Sequence, residues 1–147
     1  MDHAVADDPS GVLVANVAGV PVPRPTDDTA PYWEGCALGE LRYRRCTSCA
    51  TVVFEPRPLC PACHGVDLTW EPSAGLGAVY SWSVVHRPMT PAFRTPYAPA
   101  IVRVDEGFDM VTALVGCRPD DIHDNMRVRA EFHRVDDAIT LPFFAPV

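Results

Sequence analysis

Four of the chain's six cysteines fall into two C-x-x-C pairs, Cys46/Cys49 and Cys60/Cys63, with ten residues between them. Each pair can wrap one side of a metal ion, and two pairs together supply four thiolates in a tetrahedron, the donor set of a closed structural zinc site. The gap holds Thr51-Val52-Val53-Phe54-Glu55, enough for one strand, and then Pro56-Arg57-Pro58, which turns the chain before the second pair. It is shorter than the commonest spacing of roughly 15–20 residues but belongs to the same pattern class. Thiolates suit iron as well as zinc, but rubredoxin-type iron normally sets its pairs much further apart. Two disulfides would need an oxidising compartment, which nothing in the sequence indicates. A redox C-x-x-C would open a helix, whereas Pro61 and the flanking strand patterns suggest a ribbon. Four cysteine ligands leave no position for water, so the Zn2+ is expected to be structural, and His64, beside the second pair, is not expected to bind it.

At 147 residues the chain fits one domain, or a small metal module joined to a modest core. Its net charge is −7, and all 12 of its Lys-plus-Arg residues are Arg. That balance argues against nucleic acid, whose binding draws on phosphate neutralisation, and the short cluster Arg42, Arg44, Arg45 does not reverse it. Nothing approaches the ~20 apolar residues of a bilayer span. Asp2, Asp7 and Asp8 stand where a secretory signal would be cationic, so a cytoplasmic location is expected, with no membrane partner. Cys36 and Cys117, outside the quartet, read as small buried hydrophobes because neither has a base beside it in sequence.

Along the chain, residues 1–20 show no sustained period and read as a flexible leader, or a segment that orders only against a partner. Residues 21–72 read as a helix plus the zinc ribbon. Thr26-Asp27-Asp28-Thr29 offers helix caps, Pro31 sits early in the helix, and Gly39 stops it. Strands are expected over 41–45 and 66–70. Pro72, Ser73, Gly75 and Gly77 mark a boundary. Beyond it, residues 73–147 read as β: strands over 78–86, 100–104, 108–115, 126–135 and 138–144, and a Pro-rich loop over 87–99. Five short strands with turns between them fit a small closed barrel of the OB type. The predicted class is therefore mainly β, with an N-terminal helical segment and zinc ribbon followed by a small OB-like β-barrel.

In this order the residues resemble the DUF35 family of zinc-ribbon (rubredoxin-like) plus OB-fold proteins, over about residues 21–146. The resemblance is carried by Tyr32-Trp33-Glu34-Gly35, Gly39-Glu40-Leu41, Arg45-Cys46-Thr47-Ser48-Cys49, Pro56-Arg57-Pro58-Leu59-Cys60-Pro61-Ala62-Cys63, Gly77-Ala78-Val79-Tyr80-Ser81-Trp82, Pro96-Tyr97, Asp105-Glu106-Gly107 and Met126-Arg127-Val128. Two departures stand out. Members often carry Gly directly after each C-x-x-C, where this chain has Ala50 and His64. Asp124-Asn125 replaces the usual Ile-Gly before Met126, and Asn tolerates the left-handed turn such a place can need.

The resemblance implies a non-catalytic accessory subunit that binds and completes a thiolase-fold acyl-CoA enzyme, forming a hetero-oligomer with acyl-CoA at the interface. The large subunit would be an SCP2-thiolase-like aldolase of steroid side-chain degradation, or an acyltransferase or thiolase. The sequence agrees in lacking a nucleophile elbow, a phosphate-binding glycine loop and a clear His–carboxylate pair. Residues expected to touch the partner or CoA are Tyr32 and Trp33 on the helix and Arg87, Phe93, Arg94 and Tyr97 on the loop, since aromatics and Arg most often anchor interfaces. Two other classes compete. An OB and zinc-ribbon module can bind nucleic acid, with Tyr80, Trp82 and Phe108 as stacking platforms. A free-standing acyl-CoA-binding or hydrolysing protein would use His86 as base, although a lone His at a strand end is more often structural.

Overall fold

The computed structural model describes residues 11–14 and 19–147. Among the described residues the polypeptide is mainly β, with one short α-helix, a three-stranded ribbon sheet and a closed five-stranded barrel. Helix α1 spans Ala30–Ala37. Thr29 precedes it but does not cap it through its side chain. Its hydroxyl instead accepts a bond from the Thr26 amide at 2.9 Å, closing the turn before the helix. The stop follows from Gly39, whose φ of +75° suits a residue without a Cβ. There Glu40 N–H donates to Gly35 O at 2.8 Å and Gly39 N–H to Cys36 O at 3.1 Å, the paired bonds of a Schellman cap.

The ribbon sheet runs β2–β1–β3, with β1 at Arg42–Cys46, β2 at Val52–Val53 and β3 at Leu68–Pro72. Both neighbours of β1 are antiparallel, pairing Arg44 with Val53 on one side and with Trp70 on the other. The barrel follows at once, in the order β4–β5–β6–β8–β7. Its strands are β4 (Leu76–Trp82), β5 (Ala98–Val104), β6 (Phe108–Leu114), β7 (Arg127–Arg134) and β8 (Thr140–Pro146). Alternation assigns the faces: Ala98, Ala100, Val102 and Val104 of β5 point inward, and Phe108 and Met110 of β6 meet them. Two hairpins form, β5–β6 and β7–β8, and closure comes where β6 meets β8 at Leu114 and Phe144. Gly77 makes the β4–β5 approach possible, since a Cβ there would lie 2.6 Å from Arg103 O.

Strand β4 differs from the sequence expectation by stopping at Trp82, not His86. Its pairing with β5 shifts at a bulge between Val79 and Ser81, which turns Tyr80 outward. Past Trp82 the chain leaves the barrel because Pro96 and Pro99 have no N–H for a continuous ladder. Only Ser83 N–H to Pro99 O and a single bridge between Val85 and Tyr97 remain. Most of the segment expected as a leader lies outside the described residues. Of it, Leu13 forms a bridge with Phe93, and Val12 is buried against Ala113, Val115, Phe143 and Ala145 on the barrel's outer wall. Among the described residues no helix is long and apolar enough to cross a membrane.

Candidate metal centre and interface

The strands of the ribbon bring the four cysteines together. Their Sγ atoms all lie within 4.8 Å of one another, with Cys46 to Cys63 and Cys49 to Cys60 each 3.6 Å apart. Bonds of about 2.3 Å to a tetrahedral zinc would set sulfur–sulfur edges of roughly 3.8 Å, so the thiols stand where such an ion needs them. The two halves are built alike. Ala50 N–H donates to Cys46 O and His64 N–H to Cys60 O, both at 2.9 Å. Cys46 N–H donates to Thr51 O and Cys60 N–H to Gly65 O, again at 2.9 Å. Each half therefore turns back at the residue after its second cysteine, where Ala50 and His64 adopt φ of +63° and +60°.

Hydrogen bonds to sulfur favour the thiolate form that a metal requires. The Thr51 hydroxyl, 3.1 Å from Cys49 Sγ, and the Thr51 amide pull that thiol below its ordinary range. Gly65 N–H pulls Cys63 Sγ the same way from 3.4 Å, but the crowded thiols of Cys49, Cys46 and Cys60, with burial, outweigh it and raise Cys63 above its ordinary range. Behind the first pair, Tyr43 donates to Glu71 at 2.7 Å and Arg45 bridges Glu71, Tyr43 and the Ala50 carbonyl. The Tyr43 hydroxyl, followed by Arg45, holds Glu71 below the usual carboxylate range. The donor set is thus a saturated, braced four-cysteine site that fits a structural Zn2+, and when bound the ion supplies cross-linking of the two loops. His64 lies beside this set as a turn residue, outside the group of sulfur ligands.

Tyr32 and Trp33 come together on α1, their rings edge-on at 5.0 Å. Tyr32 also meets Phe54 of the ribbon edge-on at 5.8 Å, and Phe54 stacks on Phe108 of the barrel at 4.5 Å. Burial raises the Tyr32 hydroxyl far above its ordinary range and pushes the Cys36 thiol up to about 11. Gly35 lets α1 sit this close, since a Cβ there would be 2.7 Å from Glu40 O and 2.8 Å from the Arg42 side chain. These contacts form one aromatic run from helix through ribbon to barrel. Phe108, one of the aromatics offered above as a stacking platform, is buried inside it, which corrects that reading. Tyr80 is exposed, but its face is covered by Arg103, 4.2 Å from the ring centre.

The loop residues form a second group. Phe93 and Tyr97 stack at 5.5 Å, and no ring contact joins them to the helix pair among the described residues. Arg94 and Tyr97 line a hollow of about 430 Å3 with Val12, Leu114, Cys117 and Ile122. Burial raises the Cys117 thiol above its ordinary range. Arg87 and His86 are exposed, and neither has a carboxylate partner among the described residues. Sequence reasoning passed over Met89, which stands 91% exposed on the same loop. The signal available was its place between Pro88 and Pro91, in a stretch with no alternating partner to bury it.

With this geometry established, two family models match: a ChsH2 rubredoxin-like zinc ribbon domain over residues 33–69 and a ChsH2 C-terminal OB-fold domain over residues 70–133. A probable enoyl-CoA hydratase alpha subunit of Thermomonospora curvata is 40% identical over 126 residues, covering 84% of this chain and 40% of the relative. A 3-oxo-4,17-pregnadiene-20-carboxyl-CoA hydratase alpha subunit of Mycobacterium tuberculosis is 32% identical over 110 residues, 75% of this chain and 35% of that one. The chain thus spans 40% or less of the length of these two relatives. A DUF35 domain-containing scaffold protein of Methanocaldococcus jannaschii is 36% identical over 95 residues, 63% of this chain and 67% of the relative. Among solved structures, one described as an Ltp2-ChsH2(DUF35) aldolase matches with a TM-score of 0.79 and 39% identity, covering 85% of this chain and 98% of that one. The four-cysteine ribbon, the barrel that follows it and these likenesses agree: the chain belongs to the DUF35 family of zinc-ribbon and OB-fold proteins.

Proposed function

We propose that this protein is a non-catalytic accessory subunit that binds and completes an acyl-CoA enzyme whose large subunit has a thiolase-like, SCP2-type fold. The observation that carries the reading is that the chain's chemistry-bearing cluster is a saturated structural site: among the described residues, Cys46, Cys49, Cys60 and Cys63 are the one group of potential metal ligands held together. A closed zinc site with four cysteine ligands organises a surface and leaves no open coordination position for substrate. The likeness to an aldolase subunit and to a scaffold protein supports assembly with a larger enzyme. The likeness to a pregnadiene-carboxyl-CoA hydratase subunit favours steroid side-chain degradation as the setting, and the likeness to the aldolase favours a carbon–carbon lyase as the partner's class.

In this reading residues 21–72 and 73–147 act as two joined modules. Trp33, steadied by Tyr32, and the loop bearing Arg87, Phe93, Arg94 and Tyr97 make the partner contact. Acyl-CoA meets the complex at that interface. Co-expression of the tagged chain with a thiolase-like, SCP2-type large subunit tests the assignment. A stable complex that survives gel filtration is expected, and a chain that elutes alone at micromolar concentration contradicts it.

A further inference from the structure

We infer that Met89 is the apolar anchor of the subunit interface and that it enters a pocket on the large subunit rimmed by carboxylates. This deepens the accessory-subunit reading and rests on it. Met89 is the most exposed large hydrophobic residue among those described, at 91%. Leaving a Met in water at the tip of a structured loop gains nothing for folding, whereas Met and Arg are enriched in interfaces and Met adapts to irregular pockets.

The loop that carries it is held in shape without a partner. Val85 bridges Tyr97 at its base, and Leu13 bridges Phe93 across its far limb. Ala92 is fully buried, Phe93 stacks on Tyr97, and the Thr90 hydroxyl donates to Gly19 O at 3.2 Å. Binding through such a loop loses little conformational freedom, so the contact area is converted efficiently into affinity.

Charge identifies the occupant. The protein carries −7 overall, yet no Asp or Glu occurs between Glu71 and Asp105. Two residues from Met89, Arg87 is exposed and has no ion-pair partner among the described residues. An apolar tip beside an unpaired cation, in an acid-free segment of an acidic protein, is complementary to an apolar pocket with an acidic rim. A second copy of this chain fits less well, because two such tips would set Arg87 against Arg87.

The test uses Met89→Ser, Arg87→Glu and a photo-crosslinking residue at position 89, each with the zinc-loaded full chain and the purified large subunit. Met89→Ser should leave melting temperature and zinc content unchanged while weakening the complex at least about tenfold, as loss of a central anchor does. Arg87→Glu should slow association and flatten its salt dependence, and the crosslink should map to the large subunit. If the wild-type complex forms but Met89→Ser binds equally well, the inference fails and the accessory reading stands. If no wild-type complex forms, both fail. Concentration-dependent self-association lost in Met89→Ser, or a crosslink within a homodimer, would also overturn the inference.

Discussion

Phe54 of the zinc ribbon lies flat against Phe108 of the barrel, ring centres 4.5 Å apart and planes 12° from parallel. This stack joins the metal module to the barrel core, and Tyr32 packs against Phe54 while Tyr43 packs against Phe108. Phe54→Ala is expected to cost about 2–3 kcal/mol in urea unfolding, the loss of a partly buried ring plus its stacking partner. Phe54→Leu, which keeps bulk without the ring, should cost about 1 kcal/mol. A neutral Phe54→Ala would show that ribbon and barrel are held together elsewhere.

The zinc should be bound at one ion per chain and be part of the fold. Cys60→Ser is expected to lose the ion and loosen the ribbon, because the metal–sulfur bonds that tie the two cysteine loops to each other go with it. Since Phe54 follows β2 directly, the loss should propagate to the junction and lower the melting temperature of the whole chain. Elemental analysis finding iron, or a metal-free protein that melts at the wild-type temperature, would contradict this.

Ala50 and His64 adopt a left-handed backbone that costs an L-residue about 1–2 kcal/mol and a glycine almost nothing. Ala50→Gly and His64→Gly should therefore each raise stability by about 0.5–1 kcal/mol, after allowing for glycine's extra freedom in the unfolded chain. Chemical denaturation of the zinc-loaded variants reads this directly. Destabilisation by either change would mean that its side chain makes a contact worth more than the strain.

Two other glycines separate conformation from space. Gly39 has a positive φ and nothing within 4 Å of the place a Cβ would take, whereas at Gly77 the Arg103 carbonyl and the Val102 side chain occupy that place. Gly39→Asn should be tolerated within about 1 kcal/mol, since Asn accepts the left-handed region. Gly77→Ala should cost about 2–4 kcal/mol by forcing β4 away from β5. Thermal unfolding of the pair distinguishes them, and equal effects would refute the distinction.

Alkaline pH should weaken the fold through Cys36. Burial raises its thiol from 9.0 to about 11, so the folded state holds that proton more tightly than the unfolded chain. The associated stability is complete below pH ~9 and is lost as pH rises toward ~11, with a slope approaching about 1.4 kcal/mol per unit. Cys36→Ala should be less stable at neutral pH but show a shallower decline over that window. Equal slopes in the two proteins would remove Cys36 as the cause.

Much of this architecture is legible in the sequence because the decisive signals are local. The C-x-x-C spacing carries the metal site, Gly39 marks the helix end, and Asp105-Glu106-Gly107 marks the β5–β6 turn. Asn125 indeed has a positive φ, of 59°. Ala50 and His64, where the resemblance leads to an expectation of glycine, have positive φ, the region that strains a residue with a Cβ. The aromatic run is not legible, because Tyr32, Phe54 and Phe108 meet only through tertiary packing. Nor is the early end of β4: the stretch from Ser83 to His86 reads plausibly as strand, and only the absence of N–H groups at Pro96 and Pro99 across the ladder cuts it short. Exposure is likewise a property of the assembled surface, which is why Met89 carries so faint a mark in the sequence.

The most direct measurement is reconstitution of activity from separately purified subunits on an acyl-CoA substrate. The account predicts that this chain alone, zinc-loaded, turns over nothing, and that adding it to the large subunit restores cleavage in proportion to complex formed. Turnover by the isolated chain, or a large subunit equally active and stable without it, would contradict the account.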